Sequence, residues 1–322
     1  GGDVGVAGDG APSDVRRDTF VGFDGGPPPT PTCEGLIEAS PILEMSCRDP
    51  AHLEVVERTD RFGEALAIGD GELFVGAPGF ELGSVAVYGA ADGGYRQTQS
   101  LLRTGIGWSL AVRGARLLVG APSESTDDDD DDDYDYTGVV IEYERQDCGW
   151  VRTRLIDSPA TGEARDRGRF GASIALHDDF AIIGSGKDES EEAGEANVYY
   201  SMQYTDEGWT LTDTLSCGTH SAQQHRLHST ISADGQNILL RNDQDGVLCL
   251  FSRAGTDALR WNLISETRLD DAVNFQGANV SVSDNFVFVG SSSLRFVESG
   301  IRTQAGAVRV FTLTPGGLTE LP

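Results

Sequence analysis

Lysine, methionine and long apolar runs are nearly absent from this chain of 322 residues. Lys187 is the single lysine, and 52 acidic residues against 24 basic ones give a formal net charge of −28. Such a surface repels nucleic acid phosphates and anionic lipids, so neither is an expected partner. No apolar run approaches the ~18 residues that a membrane-spanning helix needs, so the sequence predicts no transmembrane segment. Neither Met45 nor Met202 stands at position 1, and we therefore expect a processed N-terminus.

Cysteine is scarce too, with five residues and no CxxC pair. The missing CxxC spacing argues against a zinc ribbon. A Cys33–Cys47 disulfide is predicted, because it would staple a proline-rich segment that has little core of its own. Of Cys148, Cys217 and Cys249, at least one must be unpaired or joined to another chain. This cysteine usage favours an extracellular or cell-surface location.

The common catalytic motifs are missing. The stretch Gly184–Lys187 reads GSGK but lacks the spacing of a phosphate-binding P-loop and its following hydroxyl residue. Neither a G-x-S-x-G elbow nor an HExxH zinc motif occurs. The sequence therefore predicts a protein that is not an enzyme.

Two regions differ in composition. Residues 1–57 are rich in Gly, Pro, Asp and Thr, which is typical of a linker or stalk, and they are a candidate assembly arm. Residues 58–322 carry alternating apolar strands with a repeat. We predict a domain boundary between these regions.

Five repeat units can be superposed from Arg58 onward. A short strand opens each unit, and fourteen residues after its first position a second strand ends, with the same offset in all five. The five pairs of positions are Phe62 and Gly76, Ile106 and Gly120, Phe170 and Gly184, Leu227 and Arg241, and Gln276 and Gly290. The offset fits two strands joined by a tight hairpin.

A third strand follows in each unit with the pattern Gly-x-apolar-x-apolar-aromatic, as in Gly83 to Tyr88 and Gly194 to Tyr199. A fourth strand begins at a large apolar residue such as Trp150 or Trp209. Four antiparallel strands, repeated five times, predict an all-β fold, a β-propeller of four-stranded blades. A β-sandwich or a β-barrel would not require the same fourteen-residue offset in all five units. The N-terminal segment is a candidate source of an extra strand or blade.

Small residues explain how such blades approach each other. Gly63 and Gly76 flank the first hairpin where larger side chains would clash, and Phe62 and Tyr88 are expected to fill the space between blades. Pro78 ends the second strand because it cannot donate to a β-ladder.

These residues resemble the FG-GAP repeat of integrin α-chain propellers and of many secreted bacterial proteins. Only the first unit carries both name-giving motifs, Phe62-Gly63 and Gly76-Ala77-Pro78, and the similarity covers residues 58–322. The matching repeat positions are Phe62, Gly63, Gly76, Pro78, Gly107, Gly120, Phe170, Gly171, Gly184, Gly277 and Gly290. The family usually has seven blades and carries calcium loops in the first hairpin. Here the hairpins are too short for those loops, and five units are visible.

An acidic loop interrupts the second unit between its second and third strands. Asp127 to Asp133 and Asp135 place eight carboxylates within nine residues. One interpretation is a calcium site with Asp127, Asp129, Asp131, Asp133 and Asp135 as ligands, because Ca²⁺ prefers oxygen. The other is a solvated acidic run whose charges repel each other.

The loops vary in length and charge while the strands keep their register, as in scaffolds that carry recognition loops. As the resemblance implies, we expect a non-enzymatic extracellular or cell-surface adhesion propeller that binds a protein or a glycan. One alternative is a structural subunit of an extracellular filament or surface array, which self-associates through the N-terminal segment. A second alternative is a polysaccharide-active propeller enzyme with acid and base residues in its central funnel.

Overall fold

A computed structural model describes residues 42–43, 61–79, 83–91, 94–124, 136–161, 168–178, 180–185, 198–218, 230–233, 235–242, 246–255, 260–269, 279–283, 285–298, 301–314 and 316–321. The chain divides into two units, Gly1–Thr32 and Cys33–Pro322. The first unit lies outside the described residues. Among the described residues there is no helix long and apolar enough to cross a membrane.

The fold is a β-propeller of antiparallel blades, as the repeat predicts. Each blade is a sheet of four consecutive strands, and a short extra strand pairs with the outer edge of blade one. Blade one comprises β2 (Ala65–Gly69), β3 (Glu72–Ala77), β4 (Gly83–Ala91) and β5 (Gly94–Arg103), with β1 (Ile42–Leu43) at the edge. Blade two comprises β6 (Ser109–Arg113), β7 (Arg116–Ala121), β8 (Val139–Gln146) and β9 (Gly149–Asp157). Blade three comprises β10 (Ser173–His177), β11 (Phe180–Ser185), β12 (Val198–Thr205) and β13 (Gly208–Ser216). Blade four comprises β14 (Thr230–Ala233), β15 (Asn237–Asn242), β16 (Val247–Arg253) and β17 (Trp261–Arg268). Blade five comprises β18 (Asn279–Ser283), β19 (Phe286–Glu298), β20 (Ile301–Thr314) and β21 (Gly317–Glu320).

The core consists of layers between successive blades. The first strand of each blade contacts the first strand of the next, from β2 to β6, β10, β14 and β18. Each blade has a following face, which is turned toward the next blade, and a preceding face, which is turned toward the blade before it. Each core layer is formed by the following face of one blade and the preceding face of the next. Phe74 and Val85 of blade one, for example, pack with Leu117 and Ile141 of blade two. Strands therefore alternate side chains between two layers, and both faces of a blade are apolar.

Each of the first three blades opens with a tight turn rather than with a strand. The second residue of the opening donates a backbone hydrogen bond to the glycine one residue before the end of the second strand: Gly63 to Gly76 (2.9 Å), Gly107 to Gly120 (3.2 Å) and Gly171 to Gly184 (3.0 Å). These donors have positive φ angles of 92°, 97° and 90°, which glycine adopts without strain. The first strand starts three residues later than predicted, because such φ angles are incompatible with an extended strand.

Two of the glycines near the ends of second strands lie against the backbone of the following blade. A Cβ on Gly76 would come within 2.1 Å of the Gly107 carbonyl oxygen, and one on Gly120 within 2.0 Å of the Gly171 oxygen. A side chain at either position would therefore force the two blades apart. This close contact explains why small residues recur near the end of the second strand.

A β-bulge recurs between the third and fourth strands of blades one to four. In the first three blades the extra residue is a threonine, whose hydroxyl donates to a carbonyl of the third strand: Thr98 to Val87, Thr153 to Glu142 and Thr212 to Ser201. The bulge increases the local twist of each sheet. The threonine hydroxyl provides the local hydrogen bond that fixes the bulge in place.

A tryptophan at the start of the fourth strand joins each of blades two, three and four to the blade before it. Trp150 donates through Nε1 to Glu72 Oε2 (2.9 Å), and its backbone amide donates to Gln99 Oε1 (2.8 Å). The Trp261 ring lies 5.2 Å from the Phe180 ring, and its Nε1 donates to Ser201 Oγ (2.9 Å). Tryptophans at the same repeat position thus have different partners in different junctions.

A buried disulfide between Cys217 and Cys249 joins the end of blade three to the third strand of blade four. The sequence left the pairing of these two cysteines open. Among the described cysteines, Cys148 forms no disulfide. The predicted Cys33–Cys47 bridge lies outside the described residues.

The third strand of blade three is aligned wrongly by the sequence pattern. Tyr199 pairs with Gly184 in the same way that Val85 pairs with Gly76, so Met202 occupies the place of Tyr88. The match to Gly194 misleads because apolar residues fill several positions in a row. Phe62, expected between blades, is exposed at the first blade's preceding face, whereas Tyr88 is buried.

Candidate functional site

The residues predicted to bind calcium, Asp127, Asp129, Asp131, Asp133 and Asp135, lie outside the described residues, so that site stays a prediction. In the described part of the chain, no group of three or more His, Cys, Asp or Glu side chains is arranged to hold a metal ion. The repeat glycine Gly277 also lies outside the described residues.

Hydrogen bonds and an ion pair hold the base of the acidic loop. The Gly138 amide donates to the Glu124 carbonyl (2.9 Å), and the Glu124 carboxylate pairs with Arg103 of blade one. The Phe170 amide of blade three donates to the Thr137 carbonyl (3.0 Å). The two residues that flank the loop are therefore tied to each other and to both neighbouring blades.

The inner hairpins of blades two and three bring three polar side chains together at the opposite end of the strands. Arg113 is the last residue of β6, His177 is the last residue of β10, and Asp178 follows in the turn. Arg113 Nε donates to Asp178 Oδ1 (2.7 Å), and His177 Nδ1 lies 3.7 Å from Asp178 Oδ2. We call Arg113, His177 and Asp178 the hairpin cluster.

Arg113 and Asp178 stabilise each other's charges. The hydrogen bond from Arg113 lowers the pKa of Asp178, and the nearby histidine adds to this effect. The same bond raises the pKa of Arg113, to which Asp70 of blade one contributes by charge attraction. Asp178 therefore remains an ionised carboxylate beside the imidazole.

The imidazole of His177 is positioned by its neighbours. It stacks on Phe180 with the ring centroids 5.3 Å apart, and the side chain is partly exposed. A Cβ on Gly235 of blade four would lie 2.7 Å from His177 Nε2. Glycine at this turn therefore leaves the space beside Nε2 without a side chain.

A buried charged layer lies behind the hairpin cluster, between blades two and three. The Glu142 side chain has no exposed surface, and Arg116 Nε lies 2.8 Å and Arg154 Nε 3.7 Å from its carboxylate oxygens. Arg116 also donates to the Asp178 carbonyl (3.4 Å) and stacks over the Tyr204 ring at 3.5 Å. This arginine connects the exposed cluster to the buried carboxylate.

Glu142 is a costly group to bury. Burial raises the pKa of Glu142, while the positive charges of Arg116 and Arg154 oppose that rise. Neither carboxylate oxygen accepts a hydrogen bond of normal geometry. The Trp209 indole is close enough to favour the charged form but is not oriented as a donor. The position corresponds to Val87 in blade one and Leu250 in blade four, which are apolar, and to the small polar Ser201 in blade three.

The hairpin cluster has the parts of a hydrolytic site. A partly exposed imidazole next to an ionised carboxylate can act as a general base toward water. An arginine at the same place can bind an anionic group or stabilise a developing oxyanion. Only the Nε of Arg113 is used in its hydrogen bond to Asp178.

Sequence reasoning did not find this cluster. His177 and Asp178 appear in the sequence only as part of the short hairpin LHDDF, and Arg113 appears in VRGAR. The available signal is that polar residues at the same hairpin position of consecutive repeats must lie side by side in a propeller. Glu142 has a clearer signal, since it interrupts the apolar strand VVIEY.

Comparisons with known proteins support the fold. No family model and no curated protein matches the chain. Among solved structures, it is similar to a candidate 6-phosphogluconolactonase from Bacteroides uniformis, with a TM-score of 0.51 and 14% identity over 80% of this chain and 70% of the other. A candidate 6-phosphogluconolactonase from Bacteroides fragilis gives a TM-score of 0.50 and 14% identity over 81% and 70%. The periplasmic gluconolactonase of Pseudomonas aeruginosa gives 0.47 and 15% over 81% and 84%.

These comparisons correct two expectations. The adhesion propeller and the prediction that the chain is not an enzyme are wrong, since the similar propellers are classed as lactonases. The enzymatic alternative agrees better with them. No catalytic motif is contiguous in the sequence, whereas the fold brings Arg113, His177 and Asp178 together from two blades.

Proposed function

We propose that this protein is an extracytoplasmic propeller hydrolase that opens sugar-derived lactones at the hairpin cluster. The observation that carries the proposal is the convergence of Arg113, His177 and Asp178 from two blades. The classification of the similar propellers as lactonases supports the choice of substrate class. The Cys217–Cys249 disulfide supports a location outside the cytoplasm, where disulfides persist.

His177 takes a proton from water in this proposal, and the resulting hydroxide attacks the lactone carbonyl carbon. Asp178 stabilises the imidazolium that forms, because it is an ionised carboxylate at 3.7 Å. The ring C–O bond then breaks, and the leaving oxygen takes the proton back from His177 to form a hydroxyl group. Arg113 stabilises the negative charge on the carbonyl oxygen or binds an anionic substituent.

We also propose that the repeats belong to the FG-GAP class. The three backbone hydrogen bonds from Gly63, Gly107 and Gly171 to the ends of the second strands support this assignment. They give the Phe-Gly and Gly-Ala-Pro motifs a common physical role, which is to join the opening turn of a blade to its own second strand.

The proposed activity is tested by following acid release from glucono-δ-lactone and from 6-phosphogluconolactone in a pH-stat, with subtraction of spontaneous hydrolysis. His177→Gln should lower kcat about 100-fold or more, since it removes the general base. Arg113→Gln should raise KM more for the phosphorylated lactone than for the neutral one. Arg309→Gln is the matched control, because Arg309 also pairs with a carboxylate, Glu320, but on blade five.

The control should retain full activity. Lactone opening no faster than the spontaneous rate, or a His177→Gln variant as active as the wild type, would contradict the proposal. Thermal unfolding of each variant separates loss of the site from loss of the fold.

A further inference from the structure

Two arginines of one hairpin contact Asp178 at two points. Arg113 ends β6 and Arg116 begins β7, so they flank the turn of the inner hairpin of blade two. Arg113 Nε donates to the Asp178 carboxylate (2.7 Å), and Arg116 Nη1 donates to the Asp178 backbone carbonyl (3.4 Å). The first contact holds the side chain of Asp178, and the second holds the backbone of the turn that carries it beside His177.

The contact between Arg113 and the Asp178 carboxylate is too exposed to hold this turn alone. The two side chains are 54% and 64% exposed. An exposed ion pair stabilises a structure little, because solvent screens the charges and because holding two side chains in one geometry costs conformational entropy. A fixed position for the turn therefore depends on the contact from Arg116.

Arg116 is anchored from inside the molecule. Its side chain is 19% exposed, and its Nε lies 2.8 Å from Oε1 of Glu142, which has no exposed surface. Its guanidinium carbon lies 3.5 Å from the centroid of the Tyr204 ring, which belongs to blade three. A planar guanidinium that is held by an anion and by the face of an aromatic ring keeps little freedom of orientation.

The repeat shows that a blade does not need a carboxylate at the position of Glu142. The equivalent residues of the other four blades are Val87, Ser201, Leu250 and Val310. Each of these residues occupies the same place on the third strand without a charge. The carboxylate of Glu142 is therefore explained by what it holds, which is the guanidinium of Arg116.

We infer that Glu142 and Arg116 are a positioning pair for the hairpin cluster. Glu142 holds the guanidinium of Arg116, Arg116 holds the turn at Asp178, and the turn sets the distance between the Asp178 carboxylate and the His177 imidazole. Neither member of the pair touches the substrate or moves a proton. The catalytic part of this inference rests on the proposed function, whereas the restraint on the turn is a property of the fold.

Arg116 and Arg154 provide a matched pair of substitutions. Both arginines lie beside the Glu142 carboxylate and near the Tyr204 ring. Arg154, however, lies against Gly208 at the start of β13, and among the described residues it forms no hydrogen bond with Asp178. Removing either guanidinium disturbs the same buried layer, but only one removal releases the turn.

Arg116→Gln should lower kcat for glucono-δ-lactone about tenfold and change KM by less than about twofold, because a displaced base costs rate more than binding. Arg154→Gln should keep the kcat of the wild type. Glu142→Leu, which introduces the residue that blade four has at Leu250, should lower kcat as Arg116→Gln does, because the guanidinium loses its anion. Thermal unfolding confirms that each variant is folded at the assay temperature.

Hydrogen exchange measured by mass spectrometry tests the restraint without any substrate. In Arg116→Gln and Glu142→Leu, the peptide that covers the β10–β11 hairpin should exchange about tenfold faster than in the wild type, because the turn opens more often. The same peptide should exchange at the wild-type rate in Arg154→Gln.

Two results would overturn the inference. One is wild-type exchange of the hairpin in Arg116→Gln. The other is an equal loss of kcat or an equal gain in exchange in Arg154→Gln, which would show that the layer acts only through general stability. A wild type that opens no lactone contradicts the proposed function instead, and hydrogen exchange then decides whether the positioning pair exists.

Discussion

Glu142 shows how much a single residue can differ from its repeat position. Three other blades place an apolar side chain here and blade three places Ser201, whereas blade two places a carboxylate between two arginines with no exposed surface. A buried ion pair is a poor source of stability, because removing both charges from water costs much of what their attraction returns. The charged layer therefore suits a role in holding Arg116 beside the hairpin cluster rather than a role in strengthening the core.

The raised pKa of Glu142 has a definite effect on stability. The folded protein retains the Glu142 proton at higher pH than the unfolded chain does, since the ordinary value is 4.5. Stability from this group is thus present below pH 4.5 and is lost as pH rises through the folded pKa, by about 1.4 kcal/mol per unit of rise in pKa. Urea unfolding across this pH range should show that decline, and Glu142→Gln should abolish it. An identical pH dependence in both proteins would refute the assignment.

Blade junctions are the elements in which the repeat has its physical meaning. The position fourteen residues after the opening of each repeat unit is a glycine in four blades, and in two described junctions that glycine touches the next backbone. The junction has no room for a methyl group, so the repeat constrains residue size rather than polarity. The sequence predicted the strands and this need for small residues. It misaligned one strand and missed the bulge threonines, since those depend on cross-strand registry.

A matched pair of glycine substitutions tests this constraint. Gly120→Ala should lower the free energy of unfolding by about 1–3 kcal/mol, because the new Cβ would overlap the Gly171 oxygen. Gly290→Ala, at the same repeat position, should change it by about 0.5 kcal/mol or less, because there is open space. Chemical denaturation at low protein concentration measures both. Equal losses would show that the close approach is not what selects glycine.

The whole molecule depends on successive junctions, since each blade buries its apolar faces only against its neighbours. The Cys217–Cys249 disulfide crosses one of these junctions and closes a loop with a sequence separation of 32 residues. A covalent link of this span limits the unfolded chain and keeps blades three and four together when other contacts loosen.

Replacing both cysteines by serine should lower the free energy of unfolding by about 3–4 kcal/mol, the loop-closure value for a span of this length. Calorimetry of the double variant beside the wild type measures the change, and adding a reductant to the wild type should reproduce it. Cys148→Ser is the control and should have little effect. A wild type insensitive to reduction under unfolding conditions would contradict the expected role of the bridge.

The sequence alone determined the propeller, because strand alternation and a constant offset are local properties that repeat along the chain. Only the tertiary structure decided which side chains meet. Arg113 lies some sixty residues from Asp178, and Cys217 reaches Cys249 across a blade junction. The exposed following face of blade five is likewise a tertiary property, since Phe288 and Val308 follow the pattern of buried residues. The repeat pattern indicates whether a residue is suited to a buried position. Only the packed fold shows whether a neighbouring blade buries it.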